Sequence, residues 1–412
     1  MLLSLSCWAL SREAGLFMRA AQRTDGGGPA GVWGIGAGHL LAEPHPACCG
    51  ADALGSLLSR RFLNAPGFVP LETLTEVLCN VAAATTARGT HPLLATAAPQ
   101  LLRRVAEALP EDALCGQQEE TVEELCAACV AIAREGEADA LVGIVSCAAA
   151  AAAHSAAAAG LPATALELAL QALCEGHDAV ALLAASAAGC RPEAVEAAAE
   201  RLADSCVDIA EDVHRAHHLA LLLQGLSALA VEGRSGTRRR CRDAFAILLD
   251  KEAFCPLTVQ RLALGELLRV QSAGGKWATS LLGAVGQAAS AAVRRALRSH
   301  DPEAAAVASE GLKAFAAALG DEERREAVLS VLVPMLVEAA EGSLQPLAVA
   351  LITRSATVAG AEAFAQVVGG LEAEVKARLQ KVLRADAKAA GGEEATTRKA
   401  PGAISLAGFK KT

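Results

Sequence analysis

Cys126 and Cys129 stand in a C-x-x-C arrangement, a spacing that can bring two thiolates to one metal ion. Structural zinc needs four ligands converging as a tetrahedron. Cys115 and Cys147 flank the pair at uneven distances, and no second pair repeats the spacing. The pair therefore reads as core thiols on a helix. Cys48 and Cys49, with His39 and His45, form a second metal-like cluster in a segment with little predicted structure. His214 and His218, four residues apart beside Glu211, Asp212 and His217, fall on one face of a helix. No HExxH pattern accompanies them and no distant third ligand stands out, so a polar surface turn is expected. Gly274-Gly275-Lys276 leads into Trp277 where a phosphate loop needs Ser or Thr, and Val270 stands where it needs glycine. A helix following that stretch is expected to attract anions no more than others do. Gly34, Gly36 and Gly38 lack the preceding strand of a dinucleotide loop. No Ser, His and Asp constellation and no paired carboxylates in a glycine-rich cleft emerge. The residues thus point to binding rather than catalysis, with no metal and no cofactor.

Arg234, Arg238, Arg239, Arg240 and Arg242 make one dense basic run, read as a loop leading into a helix. Three roles fit it: a solvated turn, a contact for an acidic partner or a phospholipid headgroup, or a nuclear signal.

The elements that must carry these residues follow from composition. Hydrophobic residues make up 53% of the 412, aromatics only 3%, and tyrosine is absent. A core of Ala, Leu and Val favours helix over strand. A formal net charge of −9 argues against nucleic-acid binding by bulk charge. Thirteen cysteines would suggest disulfides in a short secreted chain, but here Cys79, Cys147, Cys174 and Cys206 sit in apolar helical runs. A reducing compartment is expected.

From Ala51 onward the helical pattern is continuous, punctuated by Gly or Pro. Ala308, Leu312, Phe315 and Leu319 form one stripe, started by Asp301-Pro302 and stopped by Gly320. A second helix, near 322–340, turns Val328, Leu332, Met335 and Leu336 inward and contains Pro334, which should kink it. Leu344, Leu347, Leu351 and Ile352 begin the next pair, completed by a single stripe from Phe364 to Leu383. Pro256, Pro302 and Pro346 each open a first helix and lie 46 and 44 residues apart. Helix pairs recurring every 40 or so residues are the mark of HEAT or armadillo repeats. The fold class expected is all-α, a HEAT/armadillo-like α-solenoid of about seven antiparallel helix pairs over residues 51–386, wound as a right-handed superhelix.

Between Ala140 and Leu166 no formally charged side chain appears. Alanine is barely apolar, and Gly160 and Pro162 should divide the stretch into two helices, so a buried solenoid helix explains it better than a transmembrane span. Residues 1–46 are glycine-rich with few acidic groups and read as a poorly ordered extension or the cut end of a longer array. Residues 387–412 read as a flexible basic tail ending in Ile404, Leu406, Phe409, Lys410 and Lys411.

Phe364 to Val368, Leu371 to Arg384 and, beyond a polar linker, Ile404 to Phe409 resemble the end of the HEAT repeat-containing protein 5 family. Val331 to Leu336 and Leu344 to Ile352 are similar to that family's last repeats. The likeness covers mainly the final 90 residues or so and carries no catalytic residues. It implies a protein-binding scaffold in vesicle-mediated transport between endosomes and the Golgi, partnered by a clathrin adaptor complex. The protein would then be cytoplasmic and peripheral on those membranes. The alternative is an importin-like carrier or a scaffold subunit of another cytosolic complex.

Overall fold

The computed structural model describes residues 71–86, parts of 98–109, 112–133, 138–152, 155–250, 256–273 and 275–390. The glycine-rich start, the Cys48-Cys49 cluster, the expected helix near 52–63 and the tail from 391 onward lie outside these residues. All regular structure among the described residues is helical. The chain is all-α, a succession of antiparallel helix pairs of the solenoid class. It divides into two compact units, one running to Leu202 and including Glu232–Thr237, the other made of Ala203–Val231 and the chain from Arg238.

The first unit contains α1 (Leu71–Thr86), α2 (Glu119–Ala133), α3 (Val142–Ala151), α4 (Ala156–Cys174) and α5 (Val180–Gly189). α6 (Pro192–Ile209) crosses the division between units. A short connection makes α4 and α5 antiparallel neighbours, and α3 packs on both of them, while the 3-10 turn before α3 touches α2. Like helices of successive pairs also touch, α1 with α2 and α2 with α4. α2, α4 and α6 begin at residues 119, 156 and 192, steps of 37 and 36.

The split expected at Gly160-Pro162 falls elsewhere. α3 ends at Ala151, and α4 runs unbroken from Ala156 through Gly160 and Pro162 to Cys174. The cause is a cap supplied from another helix. Ser155 Oγ accepts from the Ala158 amide at 3.1 Å. The Glu119 carboxylate, at the start of α2, accepts from the amides of Ala156 and Ala157 and from Ser155 Oγ, all at 3.1 Å. Three amides that the first turn leaves without partners are thereby satisfied, which fixes the start of α4 upstream of the proline. By length and composition α4 could cross a membrane. It buries Leu161, Ala165, Leu166, Ala169 and Leu173 against its neighbours, while Glu167 on its outer face pairs with Arg201 at 2.7 Å. That one-sided burial is the pattern of a solenoid core helix.

The second unit contains α7 (Ala216–Glu232) up to Val231, α8 (Ser235–Leu249) from Arg238, and α9 (Leu257–Ser272), α10 (Leu282–Ser299), α11 (Pro302–Ala317), α12 (Arg325–Ala339), α13 (Gln345–Ala359), α14 (Ala361–Gly370) and α15 (Ala373–Ala390). α9, α11 and α13 begin at 257, 302 and 345, steps of 45 and 43. Bonds between like helices carry the same period. Arg324 donates to the Thr279 carbonyl 45 residues earlier, and Thr258 donates to Glu303, also 45 away. Such steps match HEAT or armadillo repeats, whereas those of the first unit approach the tetratricopeptide length.

The expected stripes are buried. Ala308, Leu312, Phe315 and Leu319 are at most 4% exposed, and Val328, Leu332, Met335 and Leu336 are also in the core. Asp301 caps α11 as its sequence implies, accepting from Glu303 and Ala304 amides at 2.9 and 3.4 Å. α12 is continuous through Pro334. The stripe from Phe364 to Leu383 is not one helix: α14 stops at Gly370, where paired glycines disfavour helix, and α15 starts anew and continues to Ala390, past the expected end at 386.

Candidate functional site

Nothing among the described residues gathers three or more His, Cys, Asp or Glu into a metal-holding group. Cys126 and Cys129 are buried on α2, where removal from water pushes the Cys126 thiol up to about 11 and raises Cys129 well above the ordinary thiol range. Cys147 is buried on α3, and Cys115 is exposed in a turn. His214 falls in a short 3-10 turn, its amide donating to Asp212, while His217 and His218 lie in the first turn of α7. Residues 276–281 form a 3-10 segment, so the α-helix expected after Gly274-Gly275-Lys276 starts only at Leu282.

The basic run is differently placed than expected. Only Arg234 precedes the helix; α8 begins at Ser235 and carries the other arginines in its first turns. A helix rotates about 100° per residue, so adjacent arginines point apart. Arg238 turns back on α7 and donates to the carbonyls of Ala230 and Val231 at 3.0 and 3.3 Å. It thus completes the end of that helix. Arg239 makes a loose 3.8 Å pair with Asp243, and Arg242 is half-buried with its Nε sealed from solvent. Arg234, Arg239 and Arg240 remain on the exposed surface.

A larger feature lies between like helices of successive pairs, α10 and α12. There the second unit has an open groove of about 1210 Å³. Its floor carries the small residues Gly283, Gly286, Ser290 and Ala291 of α10, with Leu282 and Gln287 of the same helix beside them. Phe315 of α11 reaches the floor from beneath: a Cβ on Gly286 would stand 3.0 Å from the ring edge. The opposite wall is α12, with Ala327, Val328, Val331 and Met335 in line. Val331 is 46% exposed, an uncommon condition for a large aliphatic side chain among the described residues.

The groove is basic. Arg294, Arg295, Arg298 and Arg324 line it, and no Asp or Glu does. Three of the four have carboxylates behind them: Arg294 with Glu338 at 3.7 Å, Arg295 with Asp301 at 3.2 Å, Arg324 with Asp321 at 3.9 Å. Arg298 has no ion-pair partner among the described residues. The walls are held in register at both ends, by Arg324 on the Thr279 carbonyl and by Arg294 with Glu338. These arginines were not singled out in the sequence. The signal for them was present as Arg294, Arg295 and Arg298 at the end of an otherwise small-residue helix.

The first unit has grooves of another character. One between α1 and α2 is lined by Glu72, Glu76, Glu124 and small residues, and one between α2 and α4 by Glu119, Glu123, alanines and Gly160. In each unit, then, like helices of neighbouring pairs leave open channels between them.

No curated protein matches the chain at a significant level. Among solved structures, a circular tandem repeat protein with novel repeat topology and enhanced subunit contact surfaces is similar at 15% identity and a TM-score of 0.26, covering 95% of this chain and 93% of that one. The helices that form the basic groove fall almost wholly within a family match, over the part of the chain that bears the resemblance read from its sequence: residues 285–396 match LAA1-like, C-terminal TPR repeats.

Proposed function

We propose that this helical-repeat scaffold is a non-enzymatic binding protein of vesicle-mediated transport between endosomes and the Golgi, cytosolic and recruited to those membranes through a clathrin adaptor complex. The observation that carries the binding role is the open groove between α10 and α12, which lies in the residues that match LAA1-like repeats. Its glycine and alanine floor lets a partner's backbone come close, and its walls offer both apolar and cationic contacts. The trafficking role is supported by the family resemblance of the C-terminal helices. Arg234, Arg239 and Arg240 on α8 and its approach are placed to meet an acidic partner or lipid headgroups, each worth about 1 kcal/mol near an anionic leaflet. That contribution assists recruitment without anchoring.

A second reading, an importin-like carrier or a subunit of another cytosolic complex, draws on the acidic channels of the first unit, since a basic cargo segment would suit Glu72, Glu76 and Glu124. Proximity labelling in cells with the intact chain separates the two. Adaptor subunits and endosomal or Golgi neighbours are expected; recovery of nuclear-pore proteins and cargo without them would reverse the order.

A further inference from the structure

We propose that the α10–α12 groove takes an acidic amphipathic segment of a partner protein, its carboxylates on Arg298, Arg294 and Arg324 and its apolar side chains over Phe315, Val331 and Met335. This rests on the protein-binding reading but not on the trafficking one.

Charge is the first argument. In a chain of formal net charge −9, a channel lined by four arginines and no carboxylate is a local reversal of sign. Neutralisation from behind is incomplete, because Arg298 has no ion-pair partner among the described residues and the Arg294 and Arg324 ion pairs stand at 3.7 and 3.9 Å, beyond hydrogen-bond reach. Arg298 and the loosely paired Arg294 can therefore take well-directed partners on an incoming ligand, while Arg324 keeps one nitrogen on the Thr279 carbonyl and offers the rest of its guanidinium. Arg298 sits in the last turn of α10, where the helix dipole already favours a cation, so its charge is held in place at little cost.

Size and texture are the second. A volume of about 1210 Å³ with an open mouth exceeds the few hundred to 1,000 Å³ typical of closed small-molecule sites. α10 has 18 residues and so runs for about 27 Å. An occupant of four or five helical turns spans that length. Gly283, Gly286, Ser290 and Ala291 keep the floor low around the flexible Gln287, a surface against which a second helix can pack closely. Apolar residues occupy the middle and arginines the ends of the channel, Arg324 at the start and Arg294 and Arg298 toward the finish. The matching segment has a central apolar stripe at i, i+3, i+4 and carboxylates flanking it. A lipid bilayer does not fit a concave channel whose apolar floor is recessed. Nucleic acid would leave the exposed Val331 facing phosphate.

The test uses the purified full chain and a displayed library of random 16-residue peptides. Enriched sequences are expected to combine Asp or Glu with Leu, Ile or Phe at helical spacing. Synthesised peptides should lose at least tenfold in affinity to Arg298→Glu, weaken steeply with added salt, and bind the Arg354→Glu chain unchanged. Arg354 is an exposed arginine on α13, off the groove, and serves as the control. A second variant, Gly286→Leu, raises the floor and should block binding without altering charge; the circular dichroism of each variant is checked first. Peptides without acidic bias, equal sensitivity to Arg298→Glu and Arg354→Glu, no enriched peptide, or binding to phosphatidylserine vesicles that depends on Arg298 would each overturn the proposal. If the intact chain labels protein partners in cells equally well as Arg298→Glu, the scaffold reading stands and the groove assignment fails. If neither chain acquires specific partners, the scaffold reading itself fails.

Discussion

Two glycines on neighbouring helices should answer the same substitution with opposite signs. Gly311 lies in the middle of α11, and a Cβ there would stand 2.7 Å from the Ala289 Cβ, 3.2 Å from the Ala289 Cα and 3.4 Å from Leu264. A backbone carbon cannot turn aside as a side chain can, so α10 and α11 must separate. Gly265 lies in the middle of α9, and a Cβ there meets nothing within 4 Å. Glycine to alanine inside a helix gains about 1 kcal/mol in backbone propensity at either site. At Gly311 that gain is set against overpacking of about 1–3 kcal/mol. Gly265→Ala should therefore stabilise by about 1 kcal/mol and Gly311→Ala destabilise by about 1, a difference of about 2. Urea unfolding is the assay, followed by the fluorescence of Trp277, which is buried in the second unit, with Trp8 and Trp33 changed to Phe. Equal shifts of the two midpoints, in either direction, would refute the close packing of α10 on α11.

Other consequences follow from single side chains. The Glu119 carboxyl is held below the ordinary range, chiefly by the Ala157 amide; desolvation opposes this, and Ser155 and the Ala156 amide add to the lowering. A depressed acid stabilises the fold above its unfolded value near 4.5 and loses that contribution as pH falls through its lower folded value. The protection of the Ala156 and Ala157 amides, taken relative to the intrinsic exchange rate at each pH, should fall below that point, and Glu119→Gln should lower it at neutral pH; unchanged protection would disprove the shared cap. Burial pushes the Cys241 thiol up to about 12 and Cys126 to about 11, whereas Cys115 is exposed. Brief alkylation near pH 8 should modify Cys115 and spare the other two, as read by peptide mass spectrometry. Arg238→Ala removes two bonds to the end of α7 and should cost about 1–2 kcal/mol, while Arg239→Ala, which loses an exposed pair, should stay within about 0.5 in thermal unfolding.

The helices were legible where their starts and stops are local. Asp301-Pro302 before Ala308, Leu312 and Phe315 specifies α11 from its own residues, and the structure has that helix with that cap. The break near Gly160 was misread because the start of α4 is fixed by Glu119, some 36 residues away, and no local rule sees a distant carboxylate. The arginine run attracted notice by its density. Spread around the first turns of α8, with Arg238 bonded to the end of α7, it presents fewer charges together than its spacing suggests. The groove shows the converse. Its arginines come from α10 and from the turn before α12, and only the 45-residue repeat brings them to one channel. Repeat length was legible from Pro256, Pro302 and Pro346. The shorter step of the first unit was not, since α2 and α4 begin without proline.

The most direct measurement places a photo-crosslinking amino acid at Val331, in the groove, and at Val358, also exposed, on α13 but outside it. Crosslinked peptides from cells are then identified by mass spectrometry. The account predicts that Val331 captures an acidic, apolar-striped segment of a vesicle-coat or adaptor-associated protein, that Val358 does not, and that Arg298→Glu abolishes the adduct. Identical adducts from both positions, or a Val331 adduct with lipid alone, would contradict it.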